Sequence, residues 1–220
     1  MRGRSNVQRE NANSELVQEL FLTLAEFYKY PTKEFYHEIA SGELEKRLNE
    51  LVYILYKKER KIALTELFPN YEQMKQSFVN NFIGVDGLAV PPVESLYKKW
   101  TDDPTAELAI ANSKGYYMGD SALHMRHLLK ESGIELPEEF ANMPDHLTII
   151  LEYYSEFISK LDPKYSLQFL ADHLDWLPDF SSELQELKSA KPYLYLTDIL
   201  QEVVLSEKIR LQRLSNNRGE

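Results

Sequence analysis

The sequence predicts an all-α protein, a single globular bundle of roughly ten helices whose N- and C-terminal halves are joined by a long proline- and glycine-containing hinge. Three observations carry that expectation. Apolar residues recur at three- and four-residue spacing along most of the chain, strand-like alternation is scarce, and only 8 glycines interrupt 220 residues, so helices can run unbroken. At 43% hydrophobic residues the chain is also long enough to bury a sizeable core.

Residues 1–13 are polar and read as a disordered tail. Ser14 can cap a first helix whose Leu16, Leu20, Leu24, Phe27 and Tyr28 form one apolar stripe before Pro31 stops it. Helices are then expected over 33–40, over 43–57 with Leu44, Leu48, Leu51 and Leu55 in register, and over 59–67 ahead of Pro69. Residues 70–82 continue the pattern through Tyr71, Met74, Phe78 and Phe82 and close an N-terminal half, 14–83. From 84 to 104 the composition changes to Gly84, Gly87, Pro91, Pro92 and Pro104, which reads as a connection and hinge. Such a connection permits either a monomer or an exchange of halves in a domain-swapped dimer.

The C-terminal half, 105–214, should resume with helices over 105–112 and 115–132, the second ending at Gly133. Leu147, Ile150, Leu151, Tyr154, Phe157, Ile158 and Leu161 mark a helix over 145–161. Others are expected over 164–176, 180–189 and 192–213; the last opens with Pro192 and ends with Lys208, Arg210 and Arg213 complementing its dipole. Residues 215–220 should fray.

Lys and Arg number 25 against 35 Asp and Glu, a formal net charge of −10, which argues against nucleic acid as a partner and favours basic ligands. Cysteine is absent, which excludes disulfides, thiolate metal sites and cysteine nucleophiles. The start, Met1-Arg2-Gly3-Arg4-Ser5-Asn6, lacks the apolar core of a secretory signal, and no uninterrupted apolar run approaches ~18 residues. The expected compartment is therefore the cytoplasm, without stable membrane insertion.

Asp120, His124 and His127 can share one helix face and could ligate a metal, the basis of an alternative reading as a His/Asp metal-dependent hydrolase with His146 or His173 as a further ligand. The blander reading of the same face, with Arg126 and Lys130 beside it, is a solvated surface. Within the pairs Asp145-His146 and Asp172-His173, adjacent helical residues point roughly 100° apart and do not converge on one ion. Asp145 stands where it can cap the helix that follows. Phosphate-cradling and dinucleotide-binding glycine patterns, nucleophile elbows and zinc-protease motifs are missing, so neither an enzyme class nor a cofactor is indicated. The 14 tyrosines suit a helical groove that binds peptide, although most rings at helical spacing should be core.

Pro91-Pro92-Val93-Glu94-Ser95-Leu96-Tyr97 resembles the Pro-Pro-x-Glu-Ser-x-Tyr signature of the TorD/DmsD/NarJ family of molybdoenzyme maturation chaperones. Pro144-Asp145-His146-Leu147 with Leu151-Glu152 is similar to that family's Pro-Asp-His-Ile segment, and Phe169, His173, Leu174, Trp176, Leu177 and Pro178 match a third segment in order and spacing. Val93 stands where an aromatic is usual and Leu147 where isoleucine is usual, and the N-terminal third matches only in helical pattern.

The resemblance implies a cytoplasmic chaperone that holds the leader, often of twin-arginine type, of the apo-form of a molybdopterin oxidoreductase until cofactor insertion and folding are complete. Such a leader pairs arginines with an apolar stretch, so its receptor needs carboxylates beside a hydrophobic groove. By motif position the peptide-binding residues are Glu94, Ser95, Tyr97, Asp145, His146, His173 and Trp176. Glu94 and Asp145 would pair with arginine, Tyr97 and Trp176 would touch the apolar part, and His146 would hydrogen-bond backbone or tune the site by protonation.

Overall fold

The computed structural model describes residues 2–84 and 88–218, with side chains over 13–84 and 88–216. Met1, residues 85–87 of the expected hinge, and residues 219–220 of the expected C-terminal tail lie outside the described residues. The described chain is all-α. Its helices are α1 (Arg2–Glu26), α2 (Lys33–Ser41), α3 (Glu43–Tyr56), α4 (Tyr71–Phe78), α5 (Glu94–Tyr97), α6 (Asp120–Glu131), α7 (Leu147–Phe157), α8 (Pro163–His173), α9 (Leu177–Gln185) and α10 (Lys191–Arg218). A π-helical turn, Val79–Ile83, extends α4, and a 3-10 turn spans Glu138–Phe140.

Local chemistry sets most boundaries. Thr32 and Asn70 cap α2 and α4 through side-chain acceptors, and Asp162 caps α8 ahead of Pro163. Gly42 sits at φ 78°, a left-handed conformation that lets one residue end α2 and start α3. On α1, Leu20, Phe21 and Leu24 are buried, as is Tyr28 just beyond its end, and α1 packs along α7, where the Phe21 and Tyr154 rings lie 4.6 Å apart. Helix α10 covers α8, α9 and α3, so the two halves share one core that runs from Val17 to Leu211.

Several expected boundaries differ. α1 starts at Arg2 rather than after a cap at Ser14, because no Gly or Pro breaks the chain between Arg4 and Pro31. Likewise α10 continues over 215–218. Residues 59–67 are not helical. Ile62 and Leu64 are buried while Lys61 and Ala63 are exposed, a period of two, and side chains of α3 supply the bonds a helix would have made. Asn49 bonds both the N–H and the carbonyl of Ile62, and Glu45 accepts from the Leu64 and Thr65 amides.

Residues 105–112 form turns, since Thr101 N–H pairs with the Ala111 carbonyl and Asp103 caps Thr105 locally. Positive φ at Gly115 and Met118 delays α6 to Asp120. Pro178 lies in the first turn of α9, which therefore begins at Leu177, earlier than expected. No helix among the described residues is long and apolar enough to cross a membrane.

A candidate peptide-binding site where three segments meet

The three motif segments are distant in sequence and form one junction in space. Val93 and His146 form an isolated antiparallel bridge, with Glu94 N–H donating to the Asp145 carbonyl at 3.1 Å and Leu147 N–H to the Pro92 carbonyl at 2.8 Å. The third segment joins through Tyr97, stacked on Trp176 at 5.0 Å and 12°, and through His173, whose Nδ1 lies 2.8 Å from Glu94 Oε2. The expected hinge is thus held to the core at Val93, Glu94 and Tyr97.

Most of the expected site residues serve that clamp. Asp145 is fully buried, and its Oδ2 accepts the Ser95 amide at 2.6 Å; it caps α5 rather than its own helix. Burial raises its carboxyl above the ordinary value, with the Ser95 bonds opposing the shift. α7 is capped instead by His146, whose Nδ1 accepts from Thr148 N–H at 3.2 Å. The His146 ring lies against Phe140, and burial lowers its pKa to about 3, so it is neutral near pH 7 and bonds backbone without titrating there. Tyr97 and Trp176 are buried, spending their polar atoms on the Pro91 and His173 carbonyls. Ser95 is buried, with its amide held by Asp145.

Glu94 and His173 differ, because both line an open cavity of about 350 Å³. Glu94 forms its floor: Oε2 meets His173, and Oε1 lies 2.8 Å from Lys98 Nζ. Asp102, Asp120, Asp172 and Asp175 line the same cavity. On the wall, His124 stacks on His173, with Nδ1 of His124 3.0 Å from Nε2 of His173. Burial, and then the neighbouring His173, lower the His124 pKa. Asp120 accepts from Thr101 Oγ1 and Asp102 N–H, and no group of three or more His, Cys, Asp or Glu among the described residues could hold a metal. The cluster Asp120, His124 and His127 is therefore split between a loop anchor, a histidine stack and an exposed position.

A second cavity, about 420 Å³, adjoins the first through Asp175, which lines both. Leu174, Leu177 and Pro178 form one side and Val204 and Leu205 the other, with Asp198, Glu202 and Lys208 at its polar edge. Sequence reasoning did not find this groove, nor Asp175. The available signal was Asp172 and Asp175 at i and i+3, where α8 ends.

The family model described as nitrate reductase delta subunit matches residues 43–182. The chain belongs to the nitrate reductase delta subunit family. The family match contains all three junction segments and the carboxylates of the first cavity. Among relatives, the chain is similar to the chaperone protein TorD of Shewanella piezotolerans, 26% identical over 179 residues that cover 80% of this chain and 77% of that protein. It is also similar to the chaperone protein TorD of Shewanella loihica, at 30% over 84 residues, and of Salmonella agona, at 32% over 89 residues. Those two matches cover 38% and 37% of this chain and 40% and 42% of the relatives. The relatives are named as chaperones, in agreement with a non-enzymatic role rather than a hydrolase.

Proposed function

We propose that this protein is a cytoplasmic maturation chaperone that holds the arginine-containing leader of an apo molybdopterin oxidoreductase subunit. The observation that carries the reading is the shared wall at Asp175, which places a carboxylate-rich cavity directly against an apolar groove. A leader with arginines ahead of an apolar stretch has the complementary pattern. Its guanidinium groups would meet Glu94, Asp172 and Asp175, and its apolar part would lie along Leu174, Leu177, Val204 and Leu205. Asp145, Ser95, Tyr97 and Trp176 would hold the connection so that Glu94 faces the cavity, and His173 would orient Glu94. Family membership and the TorD relatives support the chaperone class; the charge pattern supports the leader as ligand.

The test is calorimetric titration with leader peptides encoded beside the gene. Asp175→Asn should weaken binding at least about tenfold, the scale of one lost charge-assisted contact, while leaving the melting temperature near that of the parent, because Asp175 is more than half exposed. Saturable binding to none of the leaders, or unchanged affinity in both Asp175→Asn and Glu94→Gln, refutes the site.

A further inference from the structure

We infer that Lys98 is a built-in competitor for the ligand's arginine, occupying the cavity until a guanidinium displaces it; this rests on the leader-binding reading above. Lys98 directly follows α5, and its side chain folds back over the cavity floor. Its ammonium lies 2.8 Å from Glu94 Oε1 and 2.7 Å from Asp175 Oδ1, and it also donates to the Asp172 carbonyl. The ammonium thus makes one hydrogen bond and two ion pairs. The acceptors come from the connection and from the end of α8, so one side chain satisfies both sides of the cavity.

Both oxygens of Glu94 already face a partner. One oxygen is held by His173 and the other by Lys98, in a side chain that is fully buried. A cation that enters to pair with Glu94 Oε1 therefore competes with the Lys98 ammonium that already stands against it. Arginine can win the exchange because its planar fork bonds carboxylates two at a time, whereas a ligand lysine would replace an ammonium with its equal. The competition also keeps the empty receptor's buried carboxylate neutralised, since an unpaired buried charge is costly.

An internal competitor divides the affinity for every cationic ligand by the same factor, the inverse of the fraction of molecules in which Lys98 has swung out. If that fraction is about one in ten, all such ligands bind about tenfold more weakly than the bare site would allow.

The full chain is titrated with a synthetic peptide bearing an Arg-Arg pair before an apolar stretch, and with its Lys-Lys counterpart. Lys98→Met should tighten both by the same factor, about tenfold. Lys98→Arg keeps the net charge but occupies the cavity more firmly, so it should weaken both. Wild-type affinity in Lys98→Arg, or tightening of one peptide alone in Lys98→Met, overturns the proposal; should Lys98→Met fail to fold, Lys98→Arg decides.

Separately, arginine amide is titrated while the Lys98 ammonium signal is followed by NMR. Loss of its protection from exchange is expected, and an unchanged signal counts against displacement. Displacement by arginine amide without binding of either peptide removes the leader reading and leaves the competition standing. Peptide binding that neither variant alters does the reverse.

Discussion

Replacing Asp145 separates a contact residue from a positioning one. Its Oδ2 accepts the Ser95 amide at 2.6 Å, the residue is fully buried, and it does not line the carboxylate cavity. Asp145→Ala removes a hydrogen bond to a charged acceptor, about 1.5–3 kcal/mol, and leaves the buried Ser95 N–H unpaired at a cost of the same order. Relief of a desolvated carboxylate offsets part of this, because burial already disfavours its charged form. A net loss of about 2–3 kcal/mol follows, which lowers the melting temperature of a chain this size by about 5–10 °C.

Asp145→Asn keeps a carbonyl acceptor and removes the charge, so it should stay within about 1 kcal/mol of the parent. Urea unfolding followed by tryptophan fluorescence measures both, since Trp176 packs in the same junction. Leader affinity in Asp145→Asn should change by less than about threefold, whereas loss of a direct arginine contact would cost far more. Wild-type stability in Asp145→Ala, or a large affinity loss in a fully stable Asp145→Asn, refutes the assignment.

The neighbouring His146 should make stability depend on pH. Its folded pKa of about 3 lies below the ordinary 6.5, so the unfolded chain binds the extra proton between those values; the stabilisation is complete above about 6.5 and is lost as pH falls toward 3. The full span is worth roughly 3–5 kcal/mol, and His146→Asn, which retains a capping acceptor, should flatten the slope in urea titrations at pH 7 and 4.5. Asp145 acts in the opposite sense. Its pKa is raised above 3.8, so the folded state holds the proton more tightly and stability declines as pH rises through that region. Away from the site, the fully buried Glu207 accepts from Tyr56, Tyr154 and Arg210 and ties α3, α7 and α10 together. Glu207→Ala should lose about 3–5 kcal/mol of stability, and denaturant unfolding that matches the parent would show that the buried charge contributes nothing.

The helices were legible where burial follows a period of 3.6, as in α1 and α7, because a stripe such as Leu20, Leu24, Phe27 has one way to leave water. Reading failed at 59–67 and 105–112. There the backbone bonds go to Asn49, Glu45 and Thr101, partners that local periodicity does not encode.

By itself the sequence determined the fold class, the acidic character and the membership of the three motif segments in one family. Only the tertiary structure showed what each motif residue touches, because what faces a carboxylate is set by packing. Asp145 and Glu94 are both acids in motif positions, yet one is spent on a backbone amide and the other forms the floor of a cavity. Asp175 joins the cavity to the groove only because α8 ends where α10 passes, a proximity that arises from packing and has no local signature.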